Sequence, residues 1–588
     1  PERKKPSMLS RSQPNGSEQM TFVSRVFLSC LILPCLVLPA FSQSNSAISA
    51  EGLDATSSLR AGMELEKTRS WSKAIQHYEE ALRSSPEHAE LRRRLLISRL
   101  HFDVVRRNSD SAIIEMIDHV SEANALELYS EVLARLETSY VEPVDMSELV
   151  RSGTAYLEVA LTEPLFVGRY LRGQSSEAIE HFRTSIHKLT LARRIHNRSE
   201  ARSIVSAAAR AAEQHLSIDR TATVMQFVFG AVGLLDPYSS FLSSAELNEV
   251  ESQIEGNFVG LGIALQPHEV PLRILSVIPG GPAIEAGLQA GDAILQIDSV
   301  SCEDVGAEHA ADLLRGPERS SVHLKIRRLD GTVEDCVVAR RRVEVPSVED
   351  IEIIEPSAGI AYLRISSFQK TTANELDEAL WSLHRQGMQS LIIDLRGNPG
   401  GWLDASVAVA DRFLAEGGIV STRGKNGIEN QNYTASRNGT WQVPLTVLID
   451  DQSASASEIF AGAIRDNERG ILVGTTSYGK GSVQGLFHTR SLSSGIRLTV
   501  SKFYSPSGRA ISEQGVQPNI AVNDDSYVVA KYSEDNSWQR KRDMNDRVLQ
   551  MAIEQARGQR LTAQVPRTQV PTISRMAPRV AERDGAAN

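Results

Sequence analysis

Apolar positions recur at helical spacing from 59 to 107 and again from 122 to 230, which predicts that the first part of the chain is helical. The turn Asp236-Pro-Tyr-Ser-Ser-Phe-Leu242 ends that rhythm, and short strand-like runs follow. Strands are expected over Phe258–Leu265, Leu272–Ile278, Gly291–Asp298, Val322–Arg327 and Thr332–Val338. With a short helix after Pro279 and another over Gly306–Arg315, they make a small β-rich module. Beyond 344 the order changes again. Strands at Gly359–Ile365, Ser390–Leu395, Leu445–Ile449 and Ile471–Gly474 alternate with helices at Ala373–Gln386, Ala405–Ala415 and Ala456–Arg465. This alternation implies an α/β core with parallel pairing. A strand at Leu498–Tyr504 and a helix at Asn545–Arg557 close the pattern. Past 560, Pro, Arg, Gln and Thr without periodicity predict a disordered tail.

Near the start, Val26 to Phe41 is almost unbroken apolar sequence, preceded by Arg25 and ending in small residues at Ala40 and Ser42. That is the layout of a secretory signal. An uncleaved membrane anchor is the alternative, because the run approaches the length of a bilayer span, although Pro34 and Pro39 interrupt it. A lipoprotein anchor at Cys30 has too short an apolar stretch before it. Each alternative predicts export, to the periplasm or outside the cell. Further on, Ala61, Trp71, Ala74, Tyr78, Ala81 and Pro86 fall where a tetratricopeptide-like helix pair places its packing residues. Segment 72–78 is echoed at 176–182. Such a unit points to a protein partner; ordinary helical packing is the plainer account.

Composition narrows the classes. Among 588 residues, 63 basic and 73 acidic side chains leave a net charge of −10, so no basic excess exists to neutralise phosphates and no nucleic-acid partner is expected. Four cysteines are too few for a disulfide scaffold. Only Cys302 and Cys336 lie beyond the signal region. Export permits a disulfide between them, but two independent buried thiols are expected. His181, His187, His196 and His215 show no i, i+4 pairing, which argues against metal ligation.

Three segments of the α/β region concentrate candidate chemistry. Asp394-Leu-Arg-Gly-Asn-Pro-Gly-Gly401 follows an apolar strand, and its paired glycines can present unpaired N–H groups to an anion. Asp450-Asp-Gln-Ser-Ala-Ser-Ala-Ser-Glu-Ile459 opens a helix, where free amides favour developing negative charge. Ser453, Ser455 or Ser457 could equally serve only as a helix cap. Ser477-Tyr-Gly-Lys-Gly-Ser-Val-Gln484 sets one lysine between glycines, so that it can turn inward and lose water, which favours the neutral, basic amine. A solvated turn lysine is the plainer alternative.

In order, these segments resemble the carboxyl-terminal-processing, or tail-specific, proteases of the S41 type. The resemblance covers roughly 230–525 and includes the Asp-Pro-Tyr turn and Phe503-Tyr-Ser-Pro-Ser-Gly-Arg509. The run 254–343, with Gly291-Asp-Ala-Ile-Leu-Gln-Ile-Asp298, resembles a PDZ domain. The resemblance implies a fold related to crotonase and ClpP and a Ser–Lys dyad. It makes Ser455 the nucleophile, Lys480 the general base and Gln484 the residue that orients the lysine. It also implies an oxyanion hole from Ala456 N–H and either Gly400 or Gly401. Glu458 and Asp466 fall on motif positions as structural supports. In the PDZ module, Gly260, Leu261, Gly262 and Ile263 would receive the free C-terminus of a protein substrate. No metal or cofactor is required. About sixty extra residues before Thr223 depart from the family pattern and leave the oligomeric state open.

The organisation expected is multidomain α/β. It comprises a signal or anchor (1–43), a tetratricopeptide-like helix pair (59–107), a helical region with an insertion (108–253), the PDZ module (254–343), the protease core (344–525), a C-terminal helical segment (526–558) and a disordered tail (559–588). Two rivals remain. One is an inert exported adaptor of helical repeats and a PDZ module. The other is a P-loop nucleotide hydrolase at Gly474–Lys480, which lacks the hydroxyl expected at 481, where the chain has Gly481.

Overall fold

The computed structural model describes residues 55–191, 194–266, 270–436, 440–522 and 546–562. The signal or anchor segment therefore lies outside the described residues.

Helices Ala55–Lys67, Trp71–Ser84 and Ala89–Ser109 occupy the tetratricopeptide-like region, so the expected pair is extended by a third helix. Tyr78 is fully buried where Gly62 leaves room for its ring, and Ala74, Ile75, Ala81, Leu91 and Leu95 complete this small core. The long third helix buries Leu100 and Val104 in the next core, which joins the two units. Segment 176–182 does open a helix, Ser176–Thr190, capped by Ser175 and burying Phe182.

The helical domain is organised around Arg220–Gly233, in which every residue from Thr221 to Val232 is buried. A helix apolar all round can be stable only inside a core, and Asp219 caps it by accepting from Thr221 and Ala222 N–H. The chain then turns at Asp236, and strand Ser240–Leu242 leaves the helical domain to pair antiparallel with Gly495–Tyr504 of the core.

The PDZ module is a sheet in the order Ile263–Leu265, Leu272–Val277, Ala293–Ile297, Ser321–Arg327, Val333–Ala339. Among the described residues Ile263–Leu265 pairs on one side only and is a sheet edge. The module's helix spans Cys302–Leu313, starting ahead of the expected Gly306. Cys302 is buried, Cys336 is half-buried, and both are free thiols, so the expectation that both would be buried holds for Cys302 alone. The entry and exit of the module lie side by side, Asn257–Gly260 pairing with Arg341–Glu344.

The core holds a six-stranded sheet in the order Val348–Glu355, Ile360–Ile365, Ser390–Asp394, Leu445–Ile449, Ile471–Gly474, Ile520–Ala521. Every pair is parallel except the first. Strands Ser390–Asp394 and Leu445–Ile449 are buried throughout, as parallel strands covered on both faces must be. Helices Thr372–Arg385, Leu403–Asp411 and Ala456–Asp466 cover one face. Helix Arg547–Thr562 covers the other with Val548, Leu549, Ala552 and Ala556. This helix runs on into residues assigned above to the tail. The antiparallel second sheet contains Ser482–His488, paired with Gly495–Tyr504.

Candidate active site

Three strand ends of the parallel sheet deliver the candidate segments to one place. Strand Leu445–Ile449 ends at Asp450, whose Oδ1 accepts from Gln452 N–H (3.0 Å) and Ser453 N–H (2.9 Å) and so sets the turn. Ser453 Oγ donates to Leu395 O (2.8 Å) and Ser457 Oγ to Asn398 O (3.0 Å), and both residues are buried. Their hydroxyls are committed to the main chain, and of the three candidate serines only Ser455 is partly exposed. Ser455 stands at the N-terminus of helix Ala456–Asp466 with φ 55° and ψ −112°, a conformation a β-carbon resists. Its own N–H donates to Glu458 Oε2 (2.7 Å), one turn into the helix.

The same carboxylate holds the lysine segment. Glu458 Oε1 accepts from Ser477 Oγ (2.6 Å) and Gly479 N–H (2.6 Å), and Oε2 accepts from Lys480 N–H (2.9 Å). Ser455 and Lys480 thus hang by their backbones from one oxygen, and their nitrogens can be no further apart than two hydrogen-bond lengths. Tyr478 N–H donates to Ser453 O (3.0 Å) and joins the same two segments again. Glu458 is fully buried; loss of water pushes its carboxyl above the usual range, against the pull of these four donors. Lys480 is 7% exposed, and its Nζ lies 4.9 Å from the centre of the Tyr238 ring. Gln484 lies on the following strand, its Nε2 donating to Ser482 Oγ (3.0 Å) and Thr499 Oγ1 (3.5 Å).

The glycine segment closes over the serine. Gly397 N–H donates to both Asp450 oxygens, and buried Asn398 donates from Nδ2 to Ile365 O (2.8 Å). At Gly400, with φ +104°, a β-carbon would sit 2.8 Å from Ser455 Cβ and 2.8 Å from Ala456 N, so only glycine lets the loop approach. At Gly401, with φ +138°, it would lie 2.1 Å from Phe368 O. The two glycines differ in what their amides do. Gly400 N–H donates to Asn398 Oδ1 (2.8 Å). The Gly400 carbonyl accepts from Phe368 N–H (2.8 Å), so across the planar trans peptide Gly401 N–H points away from Phe368. Among the described residues, neither Gly401 N–H nor Ala456 N–H donates a hydrogen bond.

Two further carboxylates brace the site. Asp466 Oδ2 accepts from Ser507 N–H (3.1 Å) and Ser507 Oγ (2.6 Å), which ties the far end of the serine helix to the 503–509 turn. Burial acts to raise the Asp394 carboxyl, but the charge and hydrogen bonds of Arg396 outweigh it and hold the group below the usual range. Arg396 also grips Asp546 with two hydrogen bonds (3.0 and 2.8 Å) and so anchors the C-terminal helix. In the PDZ module, Leu261 is buried, Gly262 has φ +77°, and Ile263 opens the edge strand.

The family model for peptidase family S41 matches residues 359–522, and a PDZ domain model matches 273–328. The carboxyl-terminal-processing protease of Synechocystis is 35% identical over 291 residues, covering 49% of this chain and 68% of that protein. The carboxy-terminal-processing protease of Bartonella bacilliformis is 35% identical over 295 residues, covering 49% and 67%. The chain belongs to peptidase family S41. It is a serine-type peptidase of the carboxyl-terminal-processing group, which removes the inert-adaptor reading. Among solved structures, a photosystem II D1 C-terminal processing protease aligns over 68% of this chain and 93% of its own, at 23% identity and a TM-score of 0.35. The nucleotide-hydrolase reading fails on local structure: Lys480 leads into strand Ser482–His488, whereas a P-loop lysine opens a helix.

Proposed function

We propose that this S41 peptidase cleaves proteins near their C-termini with a Ser455–Lys480 dyad. The single observation that carries the assignment is the shared Glu458 oxygen, which ties the strained serine to the buried lysine. In this reading Lys480, acting as the general base, takes the proton from Ser455 Oγ as that oxygen attacks the scissile carbonyl. The carbonyl electrons move to oxygen, where Ala456 N–H and Gly401 N–H receive the charge; Gly400 N–H is already engaged by Asn398. The amine leaves with a proton returned from Lys480, and water hydrolyses the acyl-enzyme. Gln484 acts through the Ser482 and Thr499 hydroxyls on the strand pair beside the lysine.

The PDZ edge strand Ile263–Leu265 supports capture of an extended substrate C-terminus by strand addition, with its carboxylate at the Gly260–Ile263 loop. We further propose that the chain is exported by its N-terminal apolar segment and that the N-terminal helices receive a protein partner. The deciding experiment incubates wild type, Ser455→Ala and Lys480→Ala with an unstructured protein of apolar C-terminus and identifies the products by mass spectrometry. Both variants are expected to stay folded and to produce no fragments; full activity in either refutes the dyad.

A further inference from the structure

The Asp236-Pro-Tyr-Ser turn comes from the helical domain, yet its tyrosine ends against the candidate base. Lys480 Nζ stands 4.9 Å from the centre of the Tyr238 ring, within the range at which an aromatic face attracts a cation. The turn is fixed from several sides. Asp236 Oδ1 accepts from Tyr238 N–H (2.7 Å) and Ser239 N–H (2.9 Å), and Oδ2 accepts from Ser239 Oγ (2.6 Å). The core strand holds it in turn: Thr499 Oγ1 donates to Asp236 Oδ1 (3.1 Å), Thr499 N–H to Ser239 Oγ (3.1 Å), and Arg497 Nε to Tyr238 O (3.2 Å). The pairing of Ser240 with Arg497 sets the register of the whole arrangement. The backbone that carries the ring is thus fixed from both domains, and the ring itself is only partly buried.

We propose that Tyr238 is a catalytic residue supplied by the helical domain, its ring face stabilising the positive charge that Lys480 acquires when it accepts the Ser455 proton. This rests on the dyad reading above. In the attack step one O–C bond forms, the carbonyl pair moves to oxygen, and the proton passes from Oγ to Nζ. Charge of both signs therefore appears, the positive charge on a lysine that is only 7% exposed. The backbone amides meet the anion. Among the groups described here, the Tyr238 face meets the cation, and it does so without accepting the proton itself.

The test varies the electrostatics of the ring while keeping its shape. In the full chain, Tyr238→Phe and then mono-, di- and trifluorinated phenylalanines are installed at position 238, with Tyr238→Leu as the apolar limit. Turnover of an unstructured protein substrate is measured beside Ser455→Ala and Lys480→Ala. Tyr238→Phe is expected to keep most of the rate, and kcat should then fall stepwise with each fluorine while KM holds. Tyr238→Leu should lose roughly 3- to 30-fold, the span of a partly desolvated cation–aromatic contact. A flat fluorine series overturns the proposal even where the lysine and serine variants are inactive. Activity in those two variants overturns the dyad itself, and this proposal with it. Because the fluorinated rings are nearly isosteric, they decide the matter even if Tyr238→Leu fails to fold.

Discussion

Replacement of Glu458 by glutamine tests the shared carboxylate directly. Each of its oxygens accepts two hydrogen bonds, Oε1 from Ser477 Oγ and Gly479 N–H, Oε2 from Ser455 and Lys480 N–H. Glutamine turns one oxygen into a donor. With its amide toward Ser455 and Lys480, that donor would confront two backbone N–H groups that have nowhere to turn. With its amide toward Ser477 and Gly479, it meets one fixed N–H and one hydroxyl that can rotate and accept. The second orientation is therefore expected. It orphans Gly479 N–H, takes the acceptor from the Ser477 hydroxyl, whose oxygen already accepts from Val516 N–H (2.7 Å), and leaves the bridge between serine and lysine in place. One unpaired buried amide, together with the lost charge assistance, costs about 2–4 kcal/mol. Glu458→Ala removes all four bonds and the bridge, at a cost of at least about 4 kcal/mol. Against a typical stability of about 5–15 kcal/mol, both losses are readable as shifts of the denaturant midpoint at constant slope. Labelling of Ser455 by a fluorophosphonate reports whether the serine is still activated. It should slow modestly in Glu458→Gln and far more in Glu458→Ala. An alanine variant within about 0.5 kcal/mol of wild type and labelled at the wild-type rate refutes the reasoning.

Three other outcomes are expected. Gly400→Ala puts a methyl 2.7 Å from Ala454 O at φ +104° and should cut kcat by about 100-fold with little change in KM; a loss below about threefold counts against the placement of that loop. At Gly262, with φ +77°, the nearest atom to an added β-carbon is 3.4 Å away, so Gly262→Ala strains only the backbone. At about 1–2 kcal/mol, that strain should raise KM roughly 5- to 30-fold for substrates with a free C-terminus and leave a C-terminally amidated substrate unaffected. The Asp394 carboxyl is held below its usual range by Arg396 despite burial. Its stabilisation is thus complete above the unfolded carboxyl pKa and is lost as pH falls through the lower folded value. Denaturant midpoints followed downward from about pH 5 should fall less steeply in Asp394→Asn than in wild type, and equal slopes remove Asp394 as a source of acid sensitivity.

Much of the core was legible because burial on both faces leaves an unmistakable mark. Strands Leu445–Ile449 and Ile471–Gly474 have the bounds their apolar runs indicate. The strands that escaped reading are those whose pairing, rather than composition, makes them strands. Val348–Glu355 is acidic and lies at a sheet edge, and Ser482–His488 is held by the register of its partner. At the site, residue types pointed to the three segments, and the resemblance to the family then singled out Ser455, Lys480 and the glycine pair. Which amide of the pair stays open was not readable, because that depends on Asn398 and Phe368 meeting the loop from elsewhere.

The sequence by itself determined the local chemistry: a serine at a helix mouth, a lysine among small residues, glycines where backbones must approach, and apolar runs long enough for a parallel sheet. Tertiary structure alone decided that one carboxylate oxygen would hold serine and lysine together, and that a tyrosine from the helical domain would face the lysine. Local pattern reports the conformational preferences of neighbours in the chain. Contacts between segments distant in the chain, 25 residues for Ser455 and Lys480 and 242 for Tyr238 and Lys480, exist only once packing and strand register have brought them together.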